Sequence, residues 1–250
     1  MPAGERPNFV PAPPLIEDLR MVKDASELAR MQRAIDVGDA ALAQVSETID
    51  TSMTERQVAD AIAAAIRRNG GDGIAFDTIV AAGPWGARPH ASPREEPIAR
   101  DVPIVIDMGA RVDGYCSDLT RTLVAGELSP RFKAVYEVVR EAQRNAIERV
   151  ESGMSGKVAH ELAAGVIERH GFGDDFGHGL GHGVGLDVHE SPYLGRSSND
   201  TLGEGMVFTI EPGIYLSGEG GVRIEDIVVL ENGRARVLSH APKQTYQGAI

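Results

Sequence analysis

The sequence predicts an α+β fold, and three observations carry that reading. Two stretches with helical periodicity precede the first strand-like segment, and a second helical pair occupies the middle of the chain. Strand-like segments punctuated by tight-turn signals fill the remainder. The chain ahead of these elements is different. Pro2, Pro7, Pro11, Pro13 and Pro14 fall within the first fourteen residues, which opposes a helix and predicts an extended arm over residues 1–18. Residues 19–250 form the folded domain, and nothing between 20 and 245 has the composition of a linker.

Asp24 and Glu27 form a capping box ahead of Leu28, Met31, Ile35, Leu42 and Val45, which recur on one helix face. Thr54 and Gln57 repeat the device for a second helix, which Gly70 and Gly71 close. Phe76 to Ala82 is rich in β-formers. Pro103 to Ala110 and Tyr115 to Val124 read as two strands joined at Asp113-Gly114, a strong hairpin signal. Ser129-Pro130 then marks an N-cap with proline at the first helical position, leading an amphipathic helix that ends near Gly153. Another helix spans about Gly156 to His170, closed by Gly171. Met206 to Glu211, Val222 to Leu230 and Arg234 to Leu238 read as strands, the last two joined by an Asn232-Gly233 turn.

Composition limits function before any motif is considered. There are 37 acidic and 25 Lys or Arg side chains, a formal charge of −12, which argues against a nucleic acid or an anionic membrane as partner. Apolar runs are too short to cross a bilayer and no signal pattern opens the chain, so a cytoplasmic protein is expected. Cys116 is the only cysteine, which excludes an intrachain disulfide and a thiolate cluster. A metal would be held by oxygen and nitrogen.

Such a site is legible. A two-residue turn at Asp113-Gly114 pairs Val112 with Tyr115, Asp107 with Thr120 and Asp118 with Gly109. Asp107 and Asp118 then sit diagonally on one sheet face, where two carboxylates repel unless a cation lies between them. Between Gly177 and Gly185 glycine takes every second position, leaving one bare backbone face and presenting His178, Leu180, His182 and Val184 on the other. Glu211 ends an apolar strand before Pro212-Gly213, and Glu225 interrupts another. Asp107, Asp118, His182, Glu211 and Glu225 give four carboxylates and an imidazole, enough to balance two divalent ions of the Mn²⁺, Co²⁺ or Zn²⁺ kind in a two-metal hydrolase. His160-Glu161 opens like a zincin motif, but Ala164 stands where its second histidine would be, so His160 reads as a surface helix residue. His170 and His240 read as structural and Cys116 as a packing residue.

The ordered set, with Pro89-His90-Ala91, Ile106-Asp107-Met108-Gly109, Ser117-Asp118-Leu119-Thr120-Arg121, Gly181-His182-Gly183, His189-Glu190, Ile210-Glu211-Pro212-Gly213 and Arg223-Ile224-Glu225-Asp226, resembles the pita-bread metallopeptidases over about Leu19 to Lys243. These include methionine aminopeptidase, Xaa-Pro aminopeptidase, prolidase and creatinase. The resemblance implies a curved, mostly antiparallel sheet covered by helix pairs, with 19–250 as the catalytic domain. It implies the same five metal ligands, with Asp118 and Glu225 bridging two ions, of which Mn²⁺ is the first expectation and Co²⁺, Zn²⁺ or Fe²⁺ the others. Glu211, His90 and His189 take catalytic roles. His178, Tyr215 and Arg223 are similar to the substrate-binding residues of the Xaa-Pro branch, although Tyr193 follows Pro192 where many of those relatives carry arginine. The expected activity is hydrolysis of the bond before proline in short peptides, with a homodimer allowed. A methionine-aminopeptidase-like exopeptidase and a metal-free peptide-binding module on the same fold are the alternatives.

Overall fold

The computed structural model describes residues 10 and 13–244. Its first element is a short helix, α1 (Leu15–Met21), that covers the last part of the stretch expected to be an extended arm. The sequence hides it because none of its residues is buried, so it carries no apolar stripe facing a core. Most of the proline-rich arm lies outside the described residues.

The longer helices start where a side-chain acceptor precedes an apolar face. α2 (Ala25–Ser46) opens on the expected box, in which Asp24 accepts the Glu27 N–H and Glu27 accepts the Asp24 N–H. α3 (Glu55–Arg68) opens on the reciprocal Thr54–Gln57 pair. Gly70, at φ 91°, follows its end. α4 (Pro130–Arg149) is capped by the Ser129 hydroxyl and α5 (Gly156–Arg169) by that of Ser155.

The strands are β1 (Gly73–Ile74), β2 (Ile79–Ala82), β3 (Pro103–Met108), β4 (Ala110–Val112), β5 (Tyr115–Cys116), β6 (Leu119–Val124), β7 (Gly181–Gly183), β8 (Glu190–Leu194), β9 (Val207–Ile210), β10 (Gly213–Leu216), β11 (Gly220–Arg223), β12 (Asp226–Glu231) and β13 (Arg234–Val237). All pair antiparallel. They form sheets ordered β2-β3-β6, β1-β4-β5, β10-β11 and β13-β12-β9-β7-β8. One apolar core lies between α2, α3 and the β2-β3-β6 sheet, with Ile62, Ile66, Ile104 and Ile106 at its centre. Another lies under α4 and α5, built on Val135, Val139, Phe208 and Val228. Each helix pair thus covers its own part of the sheet, and the strand segments between them hold the functional residues.

Several strands are shorter than expected because the site interrupts them. The hairpin keeps its register, Asp107 opposite Thr120 and Val112 opposite Tyr115, but both arms break at Gly109 and at Ser117-Asp118. There the Ser117 hydroxyl accepts the Ala110 N–H, and a Cβ on Gly109 would lie 2.1 Å from the Ser117 carbonyl oxygen. The expected strand Val222 to Leu230 divides at Ile224-Glu225, with β11 and β12 in different sheets. Phe76 to Ala82 is strand only from Ile79, and β8 and β10 were not expected.

His160 corrects the expectation of a surface residue. It is 1% exposed and stacks on Phe176 with ring centroids 5.3 Å apart. The helical period explains it, since His160, Ala163 and Ile167 recur on the face of α5 turned to the core. Cys116 is buried as expected, and His170 caps the end of α5 beside Glu141 at 3.2 Å. His240 lies beyond the last strand, its backbone N–H donated to Asp39.

Candidate metal centre and substrate pocket

The glycine-alternating stretch is strand only over β7, where its bare face lets two neighbours close in. A Cβ on Gly181 would lie 2.0 Å from the Thr209 carbonyl oxygen, and one on Gly183 would lie 2.1 Å from that of Ser191. The close approach is that of the flanking strands β8 and β9, not of a ligand. It aims His182 into a pocket of about 610 Å³. Asp107, Asp118, Glu211 and Glu225 line the same pocket, as do His90, His178, His189 and Arg223. Tyr215, the remaining residue singled out from the sequence, sits behind this wall and bonds to two of its members.

One oxygen or nitrogen from each of Asp118, His182 and Glu225 lies within 4.8 Å of the others. His182 Nε2 is 3.2 Å from Glu211 and 3.6 Å from Asp118. Its Nδ1 lies 3.1 Å from the Gly183 carbonyl, which only accepts, so Nδ1 holds a proton and Nε2 faces the acids. The Thr209 hydroxyl accepts the His182 N–H and donates to Glu211. Across the pocket, the Thr120 hydroxyl donates to Glu225 at 2.6 Å, and Arg223 donates to Asp107 at 2.6 Å.

The electrostatics are those of an acid cluster short of positive charge. Burial, then the charges of Glu225, Asp107 and Glu211, push the Asp118 carboxyl well above its ordinary range. Burial and the charges of Glu211 and Asp107 do the same to Glu225. Burial outweighs Arg223 at Asp107, which is also raised. Glu211 goes the other way: burial would raise it, but the His182 hydrogen bond and charge, with His178 and Arg223, hold it at about 2. Burial would lower His182, yet the hydrogen bond and charge of Glu211, helped by Asp107, raise it. Among the described residues, one buried oxygen of Asp107 and one of Glu225 have no hydrogen-bond partner. Divalent cations fit this set: they would neutralise the repulsion, give both oxygens a partner and take the proton's place on His182 Nε2.

A second network supports the first. His178 Nδ1 lies 2.7 Å from the Gly179 carbonyl, so its Nε2 accepts from the Tyr215 hydroxyl at 2.9 Å. That hydroxyl in turn accepts from Arg223 at 2.8 Å. Burial pushes the Tyr215 phenol up to about 12, keeping its proton available for donation. His189 sits over His182 with ring centroids 4.3 Å apart, while His90 is exposed at the mouth.

Sequence reasoning did not single out several of the residues that complete the site. Thr120 was placed by register opposite Asp107, and that placement was the available signal. Arg121, 2% exposed, pairs with Asp226 at 2.7 Å and donates to the carbonyls of Thr120 and Glu225, fixing the strand break at which Glu225 lines the pocket. Arg20 and Lys23 pair with the carboxylate of Glu190, whose side chain is 6% exposed. They pin the loop that carries His189 to the chain around α1. Phe76, Ile79 and Val188 add an apolar wall, and Glu17 of α1 reaches the mouth.

Four carboxylates and an imidazole, facing inward from an antiparallel frame under two helix pairs, define the pita-bread class of metallohydrolase folds. The chain belongs to metallopeptidase family M24, whose model matches residues 29–232. It is 42% identical over 224 residues to the Xaa-Pro dipeptidase of Pyrococcus furiosus, which covers 89% of this chain and 64% of that protein. It is similar to the X-Pro aminopeptidase structure from Thermotoga maritima, at TM-score 0.90 and 39% identity over 93% of this chain and 66% of the other. The Xaa-Pro dipeptidase structure from Bacillus anthracis aligns at TM-score 0.93 and 38% identity, over 95% of this chain and 67% of the other. The chain therefore spans about two thirds of the length of these relatives. The expected fold class and family are both borne out.

Proposed function

We propose that the chain is a metal-dependent exopeptidase that hydrolyses the bond before proline in short peptides. The observation that carries this reading is the cluster of buried carboxylates around His182, with unpartnered oxygens on Asp107 and Glu225, at the floor of a pocket with an apolar wall. The names of the relatives favour proline in the second position, and the wall of Phe76, Ile79, Pro89 and Val188 suits a ring that lacks an N–H. Asp107, Asp118, His182, Glu211 and Glu225 would hold two divalent ions, with Mn²⁺ the first candidate. When bound, such ions acidify water and polarise the scissile carbonyl.

The chain's own groups do the rest. Glu211, at the end of β9 beside His182, would accept the proton released by the attacking water. Burial lowers His189 and favours its neutral form, so it can accept a hydrogen bond from the substrate or pass a proton to the leaving nitrogen. His90 flanks the mouth on the other side. Arg223 orients Asp107, and His178 with Tyr215 holds Arg223 in place. The buried free thiol of Cys116 is consistent with a reducing, cytoplasmic setting.

The test is hydrolysis of Ala-Pro-Ala against Met-Ala-Ser by protein loaded with Mn²⁺ or Co²⁺. A preference of at least about tenfold for Ala-Pro-Ala is expected, ~1.4 kcal/mol in transition-state binding. Preference for Met-Ala-Ser would move the chain to the methionine branch. Metal-independent folding with no bound metal and no hydrolysis of either peptide would support a binding module instead.

A further inference from the structure

We infer that a second cavity, beside α5, is an accessory groove for short unblocked peptides, held with the carboxylate end toward Lys157 and Arg196 and the ammonium end toward Glu168 and Asp174. The cavity measures about 570 Å³ and, among the described residues, shares no lining side chain with the pocket of the metal centre. His160 lines it although only 1% exposed, and neither of its ring nitrogens has a hydrogen-bond partner among the described residues. A buried imidazole with both nitrogens idle calls for a polar ligand. Burial, then the charges of Arg196 and His178, favour its neutral form, which offers one donor and one acceptor, the pair that a peptide group answers.

The charges around the cavity are sorted by position. Lys157 and Glu168 stand on the same face of α5, about 16 Å apart along the axis at 1.5 Å per residue. Arg196 joins the Lys157 end. Its turn packs on the start of the helix, where a Cβ on Gly156 would lie 2.5 Å from the Ser198 hydroxyl. Asp174 joins the other end, in the short turn Gly173–Asp175, where a Cβ on Gly173 would lie 3.5 Å from the Glu168 side chain. Glu161 and His160 lie between and can meet amide groups along the way. Among the described residues, none of these charged side chains makes an ion pair or a hydrogen bond, so both ends are free to take a ligand's termini. The helix dipole has the same sense, its first turn favouring a carboxylate and its last an ammonium. Span then selects the ligand. A free amino acid reaches one end only, whereas three extended residues cover about 10 Å and the long side chains at the ends close the remainder.

Phe176 separates the groove from the metal centre. Its ring stacks on His160 on one side and meets His178 edge-on at 5.0 Å on the other. The groove therefore lies one aromatic ring behind the substrate wall without opening into it. This inference goes beyond the peptidase reading and does not depend on it.

The decisive experiment titrates the full chain, loaded with diamagnetic Zn²⁺, with triglycine and follows the His160 ring resonances by NMR, identified by their loss in His160→Leu. Triglycine has no proline and no side chain, so it probes the groove rather than a pocket for Xaa-Pro peptides. We expect a saturable shift. N-acetyl-triglycine, triglycine amide and free glycine should each bind at least about tenfold more weakly, and the Lys157→Glu/Arg196→Glu double variant should bind triglycine at least about tenfold more weakly too. His182→Ala, which strips a side chain from the metal pocket, should bind triglycine unchanged. His160 resonances that do not move, equal affinity for a blocked form or for glycine, an unaffected double variant, or loss of the shift in His182→Ala would each overturn the groove.

Discussion

Replacing Glu190 with glutamine tests how the active-site loop is tied to the N-terminal end of the fold. Glutamine keeps the size of the side chain and can still accept the Asp187 N–H, which Glu190 Oε1 receives at 3.0 Å. It removes the charge that faces Arg20 and Lys23. The two cations respond differently. The Arg20 side chain is 30% exposed and also pairs with Asp187 at 2.7 Å, so it can turn to water at little cost. The Lys23 side chain is 2% exposed, and its ammonium, 3.4 Å from Glu190, has no comparable route out. Breaking a buried pair from one side costs roughly 3–5 kcal/mol. Burial already lowers the Lys23 pKa, so shedding the proton limits the penalty, and the low end, about 3 kcal/mol, is expected. Urea unfolding at neutral pH should show the midpoint falling with an unchanged slope. Lys23→Met in the same background removes the stranded charge, so the double variant should recover more than about 1 kcal/mol relative to additivity. A Glu190→Gln cost under about 1 kcal/mol, or strict additivity, would refute the claim that this pair is a buried, coupled strut.

Three further outcomes follow from the geometry. Glu225→Gln should lower kcat at least ~100-fold yet raise the thermal midpoint of the metal-free chain, because it removes a carboxyl whose ionisation is penalised by burial and by the neighbouring acids; a lowered midpoint would contradict that electrostatic picture. His160 should make the fold acid-sensitive: burial, then the charges of Arg196 and His178, lower it from 6.5 to about 4, so the unfolded chain binds the extra proton first. Stability is therefore lost as pH falls from about 6.5 to about 4, by roughly 2 kcal/mol after allowance for rehydration of the charged ring. His160→Leu should flatten that part of the pH curve, and an unchanged slope would assign it to other groups. Gly183→Ala should prevent or severely weaken folding, whereas Gly177→Ala, with nothing within 4 Å of its new methyl, should be close to neutral in the same unfolding assay.

What could be read from the sequence was local. The hairpin register followed from Asp113-Gly114, whose φ values of 49° and 83° are those a tight two-residue turn demands, and that register alone put Asp107 and Asp118 on one face. Cap residues fixed the helix starts for the same reason. The breaks at Ser117-Asp118 and Ile224-Glu225 were not legible, because each is held by partners far along the chain: Glu225 donates its N–H to the Thr120 carbonyl, and Arg121 ties both carbonyls to the tail at Ala241. α1 escaped notice because its attachment is an ion pair 170 positions away rather than a buried stripe. His160 was misplaced because a single histidine next to glutamate looks solvated until the packing face of its helix is known.

The glycine strand has a consequence for how mutational maps of such proteins are interpreted. Along 181–183 the two glycines have no room for a side chain, and position 182 carries the proposed metal ligand, so a scan scored by activity is expected to return an unbroken run of essential residues. Only a parallel score for protein abundance would separate them. Gly181 and Gly183 should vanish from the soluble fraction, while a His182 variant should accumulate and stay silent. Intolerance to substitution here thus records two selections interleaved at a spacing of two residues. Counting every intolerant position as a contributor to chemistry would overstate the catalytic apparatus by the number of glycines.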